Sequence, residues 1–271
     1  MKNEGPDHSE GECGKVKILE LQRLRRTFGG LVAVDDLDLV VHPAEILGLI
    51  GPNGAGKTTV FNLISGLYPS TRGRVFFEGQ DITLLKPHRR VQRGLVRTFQ
   101  MTNLYKEMTV IQNVLLGGYE NGQKVSFWGA LMNTGRTRAK EGELRARAEE
   151  ILALLGVADF RDHLAKNLPY GLQKCLGISI ALATRPKLLM LDEPMTGMNS
   201  EEIKMMMNNI RRLREQGMAI LLVEHDMRSV MEVCDRICVL NFGRKIAEGA
   251  PLEIRKNPEV IRAYLGTEYV A

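Results

Sequence analysis

Residues 51–59 read Gly51-Pro52-Asn53-Gly54-Ala55-Gly56-Lys57-Thr58-Thr59, and they determine the architecture predicted for the chain. The apolar run 45–50 precedes this segment and the helix-like run 60–64 follows it, which gives the order strand, glycine loop, helix. The segment has the pattern Gly-x-x-x-x-Gly-Lys-[Ser/Thr] in the context that the pattern requires. A glycine-rich turn that binds nothing would leave this agreement unexplained. We therefore expect a phosphate-binding loop in an α/β domain.

The loop residues supply the groups that hold a polyphosphate. Glycines let successive backbone N–H groups point into one cavity, and the start of the helix adds its positive dipole end. Lys57 is expected to reach the outer phosphates, Thr58 to place its hydroxyl on Mg²⁺, and Thr59 to donate to an inner phosphate. The predicted nucleotide-binding residues of the loop are Asn53, Gly54, Ala55, Gly56, Lys57, Thr58 and Thr59.

Length and composition indicate a globular protein. The 271 residues, 44% of them hydrophobic and 25% charged, suffice for one large domain or a domain with an insertion. The longest apolar runs fall short of the roughly 18–20 residues that span a bilayer, so we expect no membrane crossing. Residues 1–15 carry acidic side chains without an apolar core, which predicts a loose tail rather than a secretory signal. The four cysteines lack metal-ligand spacing, which favours a reducing cytosol and buried, small apolar side chains.

The net charge of +5 permits an anionic partner, either nucleic acid or phospholipid headgroups, and does not choose between them. Two runs rich in arginine, 89–97 and 136–147, recur at near-helical spacing. Solvated helix faces explain both runs better than a binding surface does.

Strand patterns are concentrated at the two ends of the chain. We predict strands at 16–21, 37–41 and 73–77, and one at 96–99 that ends at Gln100. The turn 27–30 presents Phe28, which could stack on a nucleobase or could cap the core; the residues alone leave both open. Between 101 and 166 the pattern becomes helical, most clearly at 137–155.

Acidic residues follow two buried strands. Asp192 and Glu193 come directly after the apolar run 188–191, and His225 follows the run 219–223. Ligands of open α/β sheets bind at such strand ends. Asp192 suits the Mg²⁺ shell, Glu193 could orient or deprotonate a water, and Gln100 could contact metal and water. A lone histidine is more often structural, but the strand-end position of His225 favours contact with the γ-phosphate or that water. Ser200 is expected to cap the next helix.

This set of motifs resembles the ATP-binding subunits of ABC transporters, from about residue 16 to residue 266. The segments that look like the branched-chain amino acid uptake branch of that family are Phe28–Leu31, Val96–Gln100, Glu224–Met227 and Val260–Gly266. The family signature Leu-Ser-Gly-Gly-Gln falls on residues 168–172. The resemblance also implies Phe28 as the adenine platform, with Val34 as a second contact.

The resemblance implies an α/β fold: a P-loop NTPase (RecA-like) core with a mixed sheet, an N-terminal antiparallel β subdomain and an inserted α-helical subdomain. The core is expected at 16–100 and 167–271, and the insertion at 101–166. ATP and Mg²⁺ would lie between two subunits, the phosphate loop of one facing Tyr170 and Gly171 of the other. The partners implied are a second copy or a paralogous ATPase subunit, a membrane permease and, indirectly, an extracytoplasmic solute-binding protein. No nucleic acid is implied, and the chain would lie on the cytoplasmic face of the membrane.

The signature departs from Leu-Ser-Gly-Gly-Gln at three positions, of which Tyr170 resembles the uptake branch. Pro169 replaces serine, which removes a hydroxyl and a backbone N–H, and Leu172 replaces glutamine. Loss of one charge-assisted hydrogen bond costs on the order of 1.5–3 kcal/mol, so we predict a working but slow ATPase.

Two other functions remain open from the sequence. One is a soluble ABC-type ATPase that acts as a nucleotide-dependent binding or regulatory module without a permease. The other, a small-molecule kinase, lacks an acceptor-substrate motif. The transported solute rests on similarity alone.

Overall fold

The computed structural model describes residues 16–98, 104–119 and 135–265. Its strands form two sheets with helices packed around them. The strands are β1 Leu19–Phe28, β2 Leu31–Val41, β3 Ile46–Ile50, β4 Arg72–Phe77, β5 Gln80–Asp81, β6 Leu95–Arg97, β7 Leu188–Asp192, β8 Ala219–Val223, β9 Arg236–Asn241 and β10 Arg244–Gly249. The α-helices are α1 Lys57–Ser65, α2 Pro87–Gln92, α3 Val110–Tyr119, α4 Gly135–Leu154, α5 Tyr170–Ala183, α6 Ser200–Glu215, α7 Met227–Val233, α8 Pro251–Lys256 and α9 Pro258–Leu265.

The smaller sheet is antiparallel, with strand order β2-β1-β4-β5. Strands β1 and β2 form a long hairpin that turns at Gly29 and Gly30. The strands predicted at 16–21 and 37–41 are the outer parts of this hairpin, and both continue to the turn. The expected N-terminal antiparallel part of the fold is confirmed, and Phe28 lies at its tip.

The larger sheet has strand order β10-β9-β3-β8-β7-β6, in which all neighbours are parallel except β10 and β9. Strand β3 leads into the phosphate loop, β8 into Glu224 and His225, and β7 into Glu193. Because β8 lies between β3 and β7, the loop and the acidic residues meet at one edge of the sheet.

Two apolar layers cover the faces of this sheet. Ile46 and Ile50 of β3 pack in the layer shared with most of the helices. Leu47 and Leu49 face the other layer, which contains α1 and the smaller sheet. Burial on both faces explains why β3 reads as a continuous apolar run.

Arg90 contradicts the expectation that the run 89–97 is a solvated helix face. Its side chain is 2% exposed and donates four hydrogen bonds to backbone carbonyls. Two of these carbonyls, those of Leu63 and Ile64, lie at the C-terminal end of α1. Carbonyls at a helix end lack partners within the helix, so Arg90 caps the helix that follows the phosphate loop.

The helical part of the chain contains α3, α4 and α5, which contact one another. Helix α4 confirms the pattern at 137–155. The capping prediction for Ser200 is wrong by one residue, because Asn199 caps α6 and Glu202 completes a capping box. Among the helices that the structure describes, none combines the length and apolar content needed to cross a membrane.

Candidate nucleotide-binding site

The phosphate loop is held between β3 and α1 by its own backbone geometry. Gly56 caps α1 at φ 103°, and a Cβ atom there would lie 2.5 Å from the Ala33 carbonyl oxygen of β2. Lys57 is 6% exposed, and its ammonium donates to the Gly51 and Pro52 carbonyls at 2.6 and 3.0 Å. Burial lowers the pKa of Lys57, and the nearby Glu193 charge opposes that shift. The ammonium therefore lies inside the curl of the loop.

The remaining loop residues differ in what they can offer a ligand. Asn53, Gly54 and Thr58 are exposed and Thr59 is half-buried, as expected for ligand contacts. Ala55 is different: its side chain is buried, and its backbone N–H donates to the Pro52 carbonyl at 3.1 Å. In this structure Ala55 stabilises the turn of the loop itself.

Glu193 and His225 meet at the ends of neighbouring strands. His225 Nε2 and Glu193 Oε1 are 2.5 Å apart, and the Glu193 amide donates to the Val223 carbonyl at 2.9 Å. Glu193 has φ 50°, a conformation that costs about 1 kcal/mol for a residue with a side chain and is concentrated at functional sites. Two of the three residues assigned to catalysis, Glu193 and His225, are thus in direct contact.

Asp192 is paired with an arginine that the sequence analysis assigned to a solvated face. Arg97 donates to Asp192 Oδ2 and to Asn62 Oδ1 of α1, each at 2.6 Å, and both partners of the ion pair are nearly buried. A carboxylate at a buried strand end needs such a counter-charge. Position in the sequence could have indicated this pairing, because Arg97 ends β6 and β6 lies beside β7, which ends at Asp192.

Glu224 is a further buried carboxylate, and the sequence pattern assigned it no role of its own. It is 3% exposed and accepts the backbone N–H groups of Met195 and His225 at 2.6 and 3.1 Å. Burial raises the pKa of Glu224, and these two hydrogen bonds oppose that rise. Glu224 ties the loop after Glu193 to the end of β8.

The two residues expected to contact a base differ in exposure. The Phe28 side chain is 39% exposed, whereas Val34 is fully buried in the core between the sheets. The structure therefore leaves Phe28 accessible to a base and gives Val34 no exposed surface. The exposed position of the Phe28 ring at the hairpin tip favours base contact over core capping.

The signature segment begins α5, with Pro169 as the N-cap. Tyr170 is 46% exposed, but the Gly171 N–H donates to Glu202 Oε1 at 3.1 Å. A Cβ atom on Gly171 would lie 2.6 Å from that same oxygen. The backbone group predicted to face a partner's phosphate is thus engaged by a carboxylate of its own chain, and nothing in the sequence pattern pointed to Glu202.

Gln100, the third residue predicted to act in catalysis, lies outside the described residues.

The segment Val260–Gly266, which the sequence analysis cited only as part of the family resemblance, contains Tyr264 of α9. Its phenol lies at the start of the phosphate loop and hydrogen-bonds the Gly51 backbone. Tyr264 is 39% exposed; burial of the rest of the residue raises its pKa to about 12, and that hydrogen bond opposes the rise.

Comparisons with known proteins identify the family of the chain. A family model described as ABC transporter matches residues 34–196, and one described as branched-chain amino acid ATP-binding cassette transporter matches residues 244–270. The chain is 43% identical over 250 residues to the high-affinity branched-chain amino acid transport ATP-binding protein LivG of Escherichia coli (strain K12), covering 92% of this chain and 98% of the relative. It is 38% identical over 253 residues to a probable LivG of Archaeoglobus fulgidus, covering 93% and 97%.

Solved structures of ATP-binding cassettes have the same fold as this chain. A nucleotide-free ATP-binding cassette from an ABC transporter superposes with a TM-score of 0.80 at 33% identity, covering 92% of this chain and 99% of that one. The ADP conformation of such a cassette superposes equally well, with a TM-score of 0.80 at 32% identity and the same coverage. The chain therefore belongs to the ABC transporter family, as one of its ATP-hydrolysing cassettes.

Proposed function

We propose that this chain is the ATP-hydrolysing subunit of an importer for branched-chain or related amino acids. The solute follows from the relatives, whose names specify branched-chain amino acid transport, and from the family model at residues 244–270. No residue of the described site selects a solute, because the chain holds the nucleotide and not the transport pathway.

The contact between Glu193 and His225 carries the catalytic part of the proposal. Glu193 Oε1 is held by His225, and the Thr196 hydroxyl donates to Glu193 Oε2 at 3.4 Å. A carboxylate oriented in this way, beside the Lys57 charge, suits a base that positions a water in line with the γ-phosphate. Gln100 is proposed to approach the same water.

Thr58 and Asp192 are proposed to hold Mg²⁺, together with Gln100. The fit rests on the donor chemistry, because an exposed hydroxyl and a strand-end carboxylate are the oxygen ligands that Mg²⁺ prefers. When bound, the ion would neutralise charge on the β- and γ-phosphate oxygens. Arg97, already on Oδ2, limits how the Asp192 carboxylate can turn.

Assembly is proposed as a head-to-tail pair, with an identical or a paralogous subunit, that encloses ATP against Tyr170 and Gly171. The helical insertion 101–166 would receive a membrane permease at the cytoplasmic face, and the core at 16–100 and 167–271 would carry the nucleotide. Exposure of Tyr170 at the start of α5 supports a partner-facing role.

Replacement of Glu193 by glutamine tests the proposal. We expect Glu193→Gln to bind ATP, to hydrolyse it at least 100-fold more slowly, and to form a stable dimer by light scattering. Glu201→Gln, which removes an exposed charge nearby, is the control. A variant that binds ATP but stays monomeric would contradict the enclosed-nucleotide arrangement. Co-purification with membrane subunits would separate a transport role from a soluble one.

The slow turnover predicted from Pro169 has its own test. Pro169→Ser restores a hydroxyl at the N-cap of α5 and should raise ATP turnover several-fold if that hydroxyl reaches the partner's phosphate. An unchanged rate of ATP turnover would show that the missing hydroxyl at position 169 does not slow hydrolysis.

A further inference from the structure

Phe28 is the centre of a small cluster that no part of the proposed mechanism uses. The Tyr68 ring meets the Phe28 ring edge to face, with centroids 5.5 Å apart and an interplanar angle of 79°. The Arg26 guanidinium lies over the Phe28 ring, with Cζ 4.5 Å from the centroid. A cation over a ring face and an edge-to-face aromatic pair are both attractive arrangements.

Arg26 is fixed in this position by the backbone. Its NH1 group donates to the Pro69 carbonyl at 2.8 Å, and its buried Nε has no hydrogen-bond partner among the described residues. An unpartnered buried N–H is costly, and the contact of the guanidinium with the Phe28 ring offsets part of that cost.

The loop that carries Tyr68 and Pro69 is tied both to α1 and to the hairpin. The Tyr68 N–H donates to the Asn62 carbonyl of α1 at 3.1 Å, and the Thr71 N–H donates to the Arg25 carbonyl of β1 at 2.8 Å. The cluster therefore connects the hairpin tip to the helix that begins at the phosphate loop.

From this arrangement we propose that Arg26 and Tyr68 are positioning residues for the nucleobase. Arg26 covers one face of Phe28 and Tyr68 supports the ring, so a purine stacks on the remaining face of a ring that is already ordered. Prior ordering lowers the entropy lost on binding. The inference rests on the role of Phe28 as the base platform, which the family resemblance implies, and adds two residues that contact its ring.

The test compares a ligand that has a base with one that lacks it. Isothermal titration calorimetry would measure the affinities of ADP and of pyrophosphate, neither of which this site is proposed to hydrolyse. For Arg26→Met we expect ADP affinity to fall about three- to ten-fold while pyrophosphate affinity changes less than two-fold. Arg26→Lys should keep most of the ADP affinity, and Tyr68→Leu should follow Arg26→Met.

Arg74→Met is the matched control, because it removes the same charge from the same sheet. The Arg74 side chain is 68% exposed. Unchanged ADP affinity in both Arg26→Met and Tyr68→Leu would overturn the inference. An equal fall for ADP and pyrophosphate would also overturn it, since Arg26 would then act as a charge on the phosphates or through the fold.

Phe28→Leu distinguishes this failure from failure of the proposed base site. If Phe28→Leu lowers ADP affinity selectively and Arg26→Met does not, only the positioning role is wrong. If Phe28→Leu leaves the ratio of ADP to pyrophosphate affinity unchanged, the base site itself is wrong and the inference falls with it.

Discussion

The backbone N–H of Gly171 donates to the Glu202 carboxylate at 3.1 Å, so the start of α5 already holds an anion of its own chain. The other Glu202 oxygen accepts the Asn199 N–H at 3.0 Å within the capping box of α6. One carboxylate thus serves the first turn of two helices. A phosphate brought to α5 by a partner subunit would meet this negative charge.

Removal of the Glu202 charge is expected to favour dimer closure. In a Glu193→Gln background, Glu202→Gln should strengthen ATP-dependent dimerisation at least about five-fold, because like charges about 4 Å apart repel by roughly 1 kcal/mol in bulk water and by more near a protein surface. Analytical ultracentrifugation with ATP would measure the dimer dissociation constant. Glu201→Gln, also in the first turn of α6, should leave it unchanged. Weaker dimerisation by Glu202→Gln would show that the carboxylate supports the signature instead of opposing the phosphate.

The glycines of the phosphate loop should differ sharply in their tolerance of alanine. A Cβ atom on Gly51 would lie 2.2 Å from the Leu240 carbonyl oxygen, whereas one on Gly54 meets nothing within 4 Å. Gly54→Ala should cost about 1–2 kcal/mol of unfolding free energy because φ is 81°. Gly51→Ala should cost more than twice as much or prevent folding. Urea unfolding measures both losses of unfolding free energy. Equal losses would show that the Cβ atom at position 51 does not clash with the Leu240 carbonyl.

Arg90 should matter far more than its neighbour Arg89. Arg90→Met removes the guanidinium from the Leu63 and Ile64 carbonyls at the end of α1, of which Leu63 keeps the Gly66 N–H, so unfolding free energy should fall by roughly 2–4 kcal/mol. Arg89→Met removes an exposed side chain that donates to Gln92, and should change stability by less than about 0.5 kcal/mol. Thermal denaturation compares the two. A similar small effect for both would mean that water replaces the Arg90 cap.

Tyr264 should make folding sensitive to alkali. Its pKa is about 12 in the folded chain against an ordinary value of 10.0. The unfolded phenol therefore loses its proton first, so the stability that Tyr264 contributes is present below pH 10 and declines as the pH rises toward 12. Urea unfolding between pH 8 and pH 11 should show a steeper loss for the native chain than for Tyr264→Phe. The same dependence of unfolding free energy on pH in both proteins would show that the Tyr264 phenol is exposed to water in the folded chain.

Patterns in the sequence predicted the parts of the site that local rules control. The loop 51–59, the strand-end residues Asp192 and Glu193, and His225 could be read in order because motif and strand periodicity are properties of neighbouring residues. Their meeting at one sheet edge follows from parallel strands, and the structure confirms that edge.

The long-range pairings could not be predicted in the same way. Arg97 and Asp192 are separated by 95 positions, and Gly171 and Glu202 by 31, so neither pairing follows a helical or strand period. Arg90 was assigned to solvent because charge spacing suggests a helix face, but it lies against carbonyls that only the packed structure brings to it. The burial of Val34 likewise depends on the sheet packing.

Helix α1 is restrained at both ends: by the phosphate loop at its start, and by α2 and the segment that carries Tyr68 at its end. Lys57 starts it inside the loop, while Arg90 and the segment bearing Tyr68 hold its far end. Because both ends of α1 are hydrogen-bonded to other parts of the chain, we expect the hairpin tip and α2 to move together with the phosphate loop.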